Sequence, residues 1–292
     1  MIGLPGRPAP AGIAGKAALT AAICALCLSG LAPGVAAADV GGAAADQKLQ
    51  SRLSDYLSGL DATYGVVAIS LEGGRSIFIN ANAGFPTASM YKLLVMYRVF
   101  QAMDRGKLSS SDVVTIQDDD VIQDEPDGGF GPGDTPTVEE ALHAMIAISS
   151  NAAALALVRE LGGPTAITSA AWELGMDSTA LAEDSFWSTP GDMALFFQLL
   201  ANRSLVSPKA SEQMIRLLLQ QTINDRLPAL LPEQAAVAHK TGEMDDVRND
   251  GGIVYGPGGG YVIVLMSRGG TPEEEAEVEA RLSYMVYREY GQ

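Results

Sequence analysis

The sequence predicts an α/β (α+β) fold with two lobes, one built on an antiparallel sheet and one entirely helical. Strand patterns occur only near the two ends of the chain, and helical patterns fill its middle. Strands far apart in sequence pair most economically into one sheet, with the terminal helices covering a face. We expect a ligand site in the cleft between the lobes, because concave surfaces between structural units bind small molecules.

The first elements are a helix, a hairpin and a buried helix. Residues 46–60 carry leucines at helical spacing, and residues 64–80 change to strand character around a turn with two glycines. Such a turn between apolar runs is typical of a hairpin. The stretch from Met90 to Met103 is nearly all apolar, which predicts a helix buried in the second lobe.

The later elements follow the same patterns. A helical stretch over 137–161 is interrupted near Ser149, and a glycine-rich turn over 256–260 joins two strand patterns. Thr271 and Pro272 precede three glutamates, an arrangement that favours the start of a helix. The remaining predicted elements are helices over 190–200 and 207–219, and strands over 236–241, 252–255 and 261–267.

These elements place one domain at residues 39–292, preceded by a signal peptide at 1–38. The sheet lobe takes about 46–84 and 233–292, with five antiparallel strands, and the helical lobe takes about 85–232. Basic residues followed by an apolar run and then by small residues before Asp39 are typical of a cleavable export signal. A membrane anchor is the alternative, but the run is short for a span. We therefore expect a secreted or periplasmic protein.

The composition excludes several kinds of function. A formal net charge of −16 disfavours nucleic acid as a partner, since phosphate binding needs clustered cations. Both cysteines, Cys24 and Cys27, lie in the predicted signal, so the mature chain has no thiol for a disulfide, a nucleophile or a metal. Only His143 and His239 are present, which leaves few candidates for a Ser-His-Asp triad. We expect no metal and no cofactor.

Ser89 and Lys92 form the first candidate element. At a spacing of three residues on a helix they share one face, so the amine can take the proton of the hydroxyl. Burial beside an apolar helix would lower the pKa of Lys92 and make it a better base. The helix N-terminus also supplies backbone N–H groups for an oxyanion. The motif Ser-x-x-Lys alone is weak, although it occurs only once here.

Two further elements supply possible partners. Ser149 and Asn151 flank one residue at a helix break, where a hydroxyl and an amide can point the same way, although a helix cap is the alternative. On a late strand, Lys240 and Gly242 are expected on one face and Thr241 on the other. An edge-strand lysine followed by a strand-end glycine is the alternative explanation.

Together, Ser-x-x-Lys, Ser-x-Asn and Lys-Thr-Gly in this order resemble the motifs of class A β-lactamases and penicillin-binding proteins. The resemblance covers residues 46–290 and implies the β-lactamase/transpeptidase-like fold. It also rests on the segments Phe85-Pro86-Thr87-Ala88-Ser89, Thr137-Val138-Glu139-Glu140, Ile148-Ser149-Ser150-Asn151-Ala152-Ala153 and Ser188-Thr189-Pro190.

The resemblance also implies a role for each matching residue. Ser89 would attack the carbonyl, with its proton accepted or relayed by Lys92, and Ser149 would pass a proton to the leaving nitrogen. Among the substrate-binding residues, Asn151 would hold the substrate amide. Lys240 and Thr241 of the Lys240-Thr241-Gly242 strand would bind the substrate carboxylate. The backbone N–H of Glu243 would form the oxyanion hole together with that of Ser89.

The sequence departs from the class A pattern in two places. Ser150 stands where most class A enzymes have Asp, which we expect to change buried hydrogen bonds rather than the reaction. The segment 176–189 is shorter than the class A loop that carries the glutamate activating the deacylating water. Glu183 or Asp184 could replace that glutamate, or both could be solvated loop acids, in which case release of the acyl group is slow.

Two residues at the rim have alternative interpretations. Arg248 lies in a segment that resembles a set of class A-related serine hydrolases of unassigned substrate. It could bind a substrate carboxylate through paired hydrogen bonds, or form an ion pair with Asp246 or Asp250. Phe130 could form an aromatic wall of the cleft. His143 and His239 are expected to be a helix residue and a strand-packing residue.

We therefore expect an exported, monomeric serine hydrolase that forms an acyl-enzyme on Ser89 and hydrolyses β-lactams. One alternative is a D,D-peptidase or esterase-like hydrolase. The other is a penicillin-binding module that acylates and deacylates slowly. The partner is a small molecule, either a β-lactam or a cell-wall peptide, and no membrane contact is expected after the signal is removed.

Overall fold

A six-stranded sheet forms the centre of the computed structural model, which describes residues 44–72, 74–121, 129–181 and 186–292. All neighbouring strands are antiparallel except β1, which pairs parallel with β3. In sheet order the strands are β1 (Ala44–Ala45), β3 (Arg75–Ile79), β2 (Thr63–Ser70), β9 (Gly259–Arg268), β8 (Val247–Gly256) and β7 (Ala236–Met244).

The five antiparallel strands confirm the sequence prediction, and the largest shift in a boundary is at the start of β8. Strand β8 begins at Val247 rather than at 252. The sequence there, Arg248-Asn249-Asp250-Gly251-Gly252, has the polar and glycine content of a turn. It is nevertheless a strand because Asn249 and Asp250 are fully buried, and hydrogen bonds satisfy their side chains.

Eight helices are described. The predicted break near Ser149 is confirmed, since one helix ends at Ala147 and the next begins at Asn151. The helix α5 was not predicted. The helices are α1 (Gln47–Leu57), α2 (Lys92–Asp104), α3 (Val138–Ala147), α4 (Asn151–Glu160), α5 (Pro164–Glu173), α6 (Pro190–Ala201), α7 (Pro208–Leu218) and α8 (Pro272–Tyr290).

Both terminal helices cover one face of the sheet, as predicted. Thr271 caps α8 by accepting a hydrogen bond from the Glu274 N–H, and Pro272 stands at the first helical position. Helix α6 packs on the opposite face, where Phe197 lies against Gly251. The core under the terminal helices contains Leu49, Leu53, Tyr64, Val66, Ile77, Val254, Tyr261, Ile263, Leu265, Val278, Leu282, Val286 and Tyr287.

A second, small sheet lies next to the predicted nucleophile. Its strands, in sheet order, are β4 (Phe85–Pro86), β6 (Phe186–Ser188) and β5 (Ala180–Leu181). Residues 41–292 form one compact unit, so the boundary between the two predicted lobes stays a prediction. Among the described helices, none is both long enough and apolar enough to cross a membrane. The predicted signal at 1–38 lies outside the described residues.

Candidate active site

Ser89 lies in a single 3-10 turn, Ala88–Tyr91, that leads directly into α2. Residues three apart are aligned along a 3-10 helix, so Ser89 and Lys92 lie on the same side of this turn. The preceding residue, Ala88, has a φ of 45°, a conformation that non-glycine residues seldom adopt. Ser89 is half-buried and Lys92 is fully buried, which places the hydroxyl at the surface of the cleft and the amine beneath it.

The Lys92 amine is bound by the break between α3 and α4. Its Nζ donates to the Ser149 carbonyl oxygen at 2.6 Å, to Ser149 Oγ at 3.2 Å and to Asn151 Oδ1 at 2.7 Å. Ser149 has a φ of 61°, so the chain leaves α3 in a left-handed conformation that turns its carbonyl and hydroxyl toward the lysine. The Ser150 hydroxyl caps α4 by accepting from the Ala153 N–H at 3.1 Å.

Lys240 reaches the same serine from the sheet. Its Nζ donates to Ser149 Oγ at 3.0 Å and to the Thr241 carbonyl at 2.9 Å. A hydroxyl accepts through two lone pairs and donates through one O–H. Because both lysines donate to Ser149 Oγ, its lone pairs are occupied and its own O–H is the group left to donate.

The pKa of the Lys240 ammonium is held well below its usual value. Complete burial is the main cause, and the charge of Lys92 adds to it, whereas Asp250 and Glu243 act in the opposite direction. Two amines that share one hydroxyl in a buried site cannot both be charged at low cost. The site is therefore suited to moving a proton between Lys92, Ser149 and Lys240.

Strand β7 is the edge of the sheet and packs directly on the 3-10 turn Ala88–Tyr91. This turn is called the nucleophile turn below, after the predicted role of Ser89. A Cβ atom on Gly242 would lie 2.6 Å from the Thr87 carbonyl oxygen and 3.2 Å from the Met90 nitrogen. Only glycine permits this approach. It brings the backbone next to Glu243 close to the N-terminus of the turn that carries Ser89, as the predicted oxyanion hole requires.

Asn249 connects the sheet to the segment before Ser89. Its Nδ2 donates to the Pro86 carbonyl at 2.9 Å and to the Thr87 carbonyl at 3.2 Å, and its Oδ1 accepts from the Ser267 N–H at 3.2 Å. The side chain is fully buried. Asn249 thus fixes the nucleophile turn against β8 and β9, a role that sequence analysis missed.

The comparison with known families agrees with this geometry. A family model described as the Beta-lactamase enzyme family matches residues 47–290. The chain belongs to this family. The match covers every described element from α1 to α8, and with them the Ser-x-x-Lys, Ser-x-Asn and Lys-Thr-Gly residues.

Relatives within the beta-lactamase family are similar over most of their length. A beta-lactamase from Bacteroides uniformis is 29% identical over 272 residues, which is 82% of this chain and 90% of that protein. One from Streptomyces albus G is 28% identical, over 86% of this chain and 88% of that protein. The solved structure of PBP-A has a TM-score of 0.80 and 25% identity, and the match covers 84% of this chain and 97% of PBP-A.

The predicted deacylation residues belong to a short connection. Strands β5 and β6 pair in register, Leu181 with Phe186, so only residues 182–185 join them. Glu183 and Asp184 lie in these four residues, outside the described residues. Nearby, the described Asp192 carboxylate accepts from the Thr179 hydroxyl at 2.8 Å and from the Ser178 N–H at 2.9 Å. Burial raises the pKa of Asp192.

The two predicted rim residues, Arg248 and Phe130, contact other parts of the described chain. Arg248 donates to the backbone carbonyls of Met244 at 2.6 Å and Val247 at 2.8 Å, and no ion pair with Asp246 or Asp250 is found within the described ranges. Phe130 lines a groove along the start of α3 with Glu139, Glu140 and His143. Contact of Arg248 or Phe130 with a substrate stays a prediction.

A buried charge cluster lies behind Lys240 and was not foreseen. His239 Nδ1 is 2.9 Å from Asp250 Oδ1, and its Nε2 is 3.1 Å from Asn224 Oδ1. Arg226 is fully buried and donates to Asp225 at 2.9 Å and to Glu243. Arg226 stands in the segment between α7 and β7, which shows no periodic pattern, so only the structure shows its proximity to Lys-Thr-Gly.

Proposed function

We propose that the protein is a serine β-lactamase that opens the β-lactam amide bond through an acyl-enzyme on Ser89. The observation that carries this proposal is the shared Ser149 hydroxyl, which lies 3.2 Å from the Lys92 amine and 3.0 Å from the Lys240 amine. A nucleophile, a base and a proton donor for the leaving nitrogen are the three groups that amide cleavage by serine requires.

In the acylation step, Lys92 in its neutral form, which donates to at most two of its three acceptors, takes the proton of Ser89 as the serine oxygen attacks the lactam carbonyl carbon. The negative charge that develops on the carbonyl oxygen is stabilised by the backbone N–H groups of Ser89 and Glu243. The C–N bond then breaks, and the nitrogen takes the proton of Ser149. Lys92, which gained the serine proton, returns it to Ser149, so the amine is neutral again and the acyl group is esterified to Ser89.

Release of the acyl group requires a water molecule and a base that takes a proton from it. Water attacks the ester carbonyl and returns one proton to the Ser89 oxygen. The product is a carboxylic acid in which the lactam ring is open. A buried carboxylate would be the natural base for this step. Among the described residues near the short connection, the Asp192 carboxylate is already bound to Thr179 and Ser178.

A second candidate function, a penicillin-binding module with slow release, is favoured by this short connection. PBP-A, at 25% identity, has also been solved as a variant in an acyl-enzyme complex with penicillin-G. That likeness supports acylation of Ser89 in this chain and is compatible with a long-lived adduct. The two candidates share acylation of Ser89 and differ only in the rate at which the acyl group is released.

One experiment separates the two candidates. Purified protein is mixed with benzylpenicillin, and both substrate loss and intact protein mass are followed over time. Many turnovers per protein molecule support the β-lactamase, whereas one stoichiometric adduct without further substrate loss supports the binding module. No adduct and no substrate loss would contradict both.

A matched pair of variants assigns the nucleophile. Ser89→Ala is expected to lower the rate of substrate loss by at least about a thousandfold, as for the nucleophile of other serine hydrolases. Ser111→Ala removes an exposed hydroxyl that contacts only Ser109 among the described residues, and should keep wild-type activity. Full activity of Ser89→Ala would refute the assignment.

We also propose that the chain is exported after cleavage of residues 1–38 and acts as a monomer. The basic, apolar and small-residue order of this segment supports export. N-terminal sequencing of protein recovered outside the cytoplasm tests it, and recovery of the uncleaved chain inside cells would contradict it. Light scattering of the mature chain tests the oligomeric state.

A further inference from the structure

The segment between α7 and β7 connects the two structures that meet at the Ser149 hydroxyl. Residues 221–227, called the bridging segment below, form hydrogen bonds with the end of α3 on one side and with β7 and β8 on the other. Ser149 lies in the break after α3, and Lys240 of β7 donates to its hydroxyl at 3.0 Å. Because it is bound to both structures, the bridging segment limits how far they can separate.

Gln221 is the buried residue at the first end of the bridging segment. Its Nε2 donates to the Ile146 carbonyl at 2.9 Å, and its Oε1 accepts from the N–H groups of Thr222 and Ile223, each at 3.0 Å. A side-chain amide supplies both donors and acceptors, whereas a carboxylate only accepts and a thioether donates nothing. Gln221 thus binds the end of α3 and the turn that follows Gln221 itself.

The carbonyl groups at the end of α3 depend on these bonds. The last four carbonyls of an α-helix have no partner within the helix. Thr222 binds the Ala147 carbonyl through its N–H and its hydroxyl, both at 3.0 Å, and Gln221 binds the Ile146 carbonyl. A buried carbonyl without a partner is costly, so these bonds fix the last turn of α3. Ser149 follows Ala147 by two residues, and its position depends on that turn.

The other end of the bridging segment is bound to the sheet and to α8. The Leu227 N–H donates to Asp250 Oδ2 of β8 at 3.1 Å, and its carbonyl accepts from the Ser283 hydroxyl of α8 at 2.8 Å. His239 of β7 has its Nε2 3.1 Å from Asn224 Oδ1. Loss of the bonds at the α3 end would therefore release the Ser149 break from the sheet while leaving these contacts in place.

We propose that Gln221 is a positioning residue for Ser149, which acts through the end of α3 and keeps the serine hydroxyl between the Lys92 and Lys240 amines. The inference rests on the proposed function, in which the leaving nitrogen takes the proton of Ser149 during acylation. A displacement of about 1 Å in such a group can lower a rate by about a hundredfold. Gln221 therefore affects the rate of acylation through Ser149 rather than through the reacting atoms.

Gln221→Met tests this role, because methionine keeps the length of the side chain and loses both the donor and the acceptor. The adduct with benzylpenicillin is followed by intact mass after an acid quench, and we expect acylation to slow by about 10–100-fold. Gln220→Met is the matched control. It removes the neighbouring, exposed amide, which donates to the Arg216 carbonyl, and should leave the rate within about twofold of the wild type.

The same substitution in a Ser149→Ala protein separates positioning from loss of structure. If Gln221 acts through the Ser149 hydroxyl, Gln221→Met should slow the acylation of Ser149→Ala by no more than about twofold, because the effects of coupled residues do not add. A general weakening of the fold would lower the rate by the same factor with and without the hydroxyl. Melting curves of all four proteins confirm that each is folded at the assay temperature.

Thr222 gives a second test, which decides if Gln221→Met does not fold or if Ser149→Ala reacts too slowly to measure. Thr222→Val removes the hydroxyl that binds the Ala147 carbonyl and should slow acylation by about three- to tenfold, the equivalent of one neutral hydrogen bond. Thr222→Ser keeps the hydroxyl and should recover most of the rate. Equal rates of acylation in Thr222→Val and Thr222→Ser would overturn the inference.

The outcomes distinguish this inference from the proposed function. If the wild type is acylated and folded Gln221→Met reacts within about twofold of its rate, the positioning role is wrong and the acyl-enzyme stands. An equal loss of rate in the Ser149→Ala protein would also overturn it, because Gln221 would then act on the fold in general. If benzylpenicillin acylates neither the wild type nor any variant, both proposals fall.

Discussion

The two sides of the nucleophile turn are built very differently. On one side, Lys92, Ser149, Asn151 and Lys240 form a hydrogen-bond network with contacts of 2.6–3.2 Å, in which both lysines are fully buried. On the other side, the small sheet of β4, β5 and β6 is closed by a connection of four residues. There the described carboxylate, Asp192, is bound by its own neighbours.

In the proposed acyl-enzyme reaction, this difference assigns formation and release of the ester to separate structures. In the proposed reaction, formation of the ester uses Lys92, Lys240 and Ser149, which lie on α2, β7 and the break between α3 and α4. Release needs a base for water, which the family places in the loop that is short here. Under the proposed function, we expect acylation to depend on the network and the rate of release to depend on the short connection.

The largest expected effect comes from breaking the network at Lys92. Lys92→Met keeps the length and apolar stem of the side chain but removes the base, so acylation by a chromogenic cephalosporin should slow by about a thousandfold. Stopped-flow acylation with a chromogenic cephalosporin measures it. Lys48→Met, a change of an exposed lysine in α1, is the control and should leave the rate unchanged. Equal acylation in both variants would contradict the role of Lys92.

A smaller effect is expected from separating β7 from the nucleophile turn. The added Cβ of Gly242→Ala would lie 2.6 Å from the Thr87 carbonyl oxygen, so the strand must shift away from Ser89. We expect acylation to fall by about 10–100-fold, because a displacement of this size misplaces the oxyanion donors. Gly59→Ala, which meets nothing within 4 Å, is the steric control. Wild-type acylation of Gly242→Ala would show that the close contact is unimportant.

The release side can be tested by supplying a better nucleophile than water. Neutral hydroxylamine needs less assistance from a base, so it should speed turnover of benzylpenicillin several-fold and give the hydroxamate. The measurement is the steady-state rate together with product mass. A rate that does not depend on hydroxylamine would mean that a base already activates water, or that acylation limits turnover.

The smallest expected effect concerns the buried carboxyl of Glu279 on the far face of the sheet. The carboxylate is fully buried and forms no ion pair within the described residues, and burial raises its pKa well above the usual value. The folded state then binds a proton that the unfolded state loses, so stability falls as pH rises above about 4.5, the ordinary pKa of a glutamate side chain.

Glu279→Gln removes this dependence and should raise the melting temperature at pH 8 by a few degrees, at roughly 2–4 °C for each kcal/mol. At pH 4 the wild type and Glu279→Gln should have the same melting temperature. Glu277→Gln, an exposed change on the same helix, is the control and should differ little at either pH. A lower melting temperature for Glu279→Gln at pH 8 would contradict this account.

Local patterns were sufficient to predict most of the fold. Periodicity and capping chemistry predicted three features that the structure confirms. They are the helix break near Ser149, the cap of α8 at Thr271 and the face of β7 on which Lys240 lies. Helix α5 was missed because its alanine-rich sequence carries a weak apolar stripe. The start of β8 was missed because buried tertiary hydrogen bonds override the turn propensity of Asn249 and Asp250.

The candidate site was predicted only in part, for a similar reason. The contacts of Lys92 and Lys240 with Ser149 follow from three motifs that the resemblance joins. Arg226 and Asn249 act through contacts between residues far apart in the chain, and no local spacing encodes these. The burial of Arg226 and its contacts with Asp225 and Glu243 could therefore be recognised only from the folded arrangement.

The central claim, that Ser89 carries the acyl group, is tested most directly by locating the adduct. Protein mixed with benzylpenicillin is quenched in acid within the first turnover, digested and mapped by mass spectrometry. We expect the added mass of one intact penicillin on the peptide that contains Ser89, and none on this peptide in Ser89→Ala. An adduct on a different residue, or substrate loss without any adduct in a protein that lacks Ser89, would contradict the account.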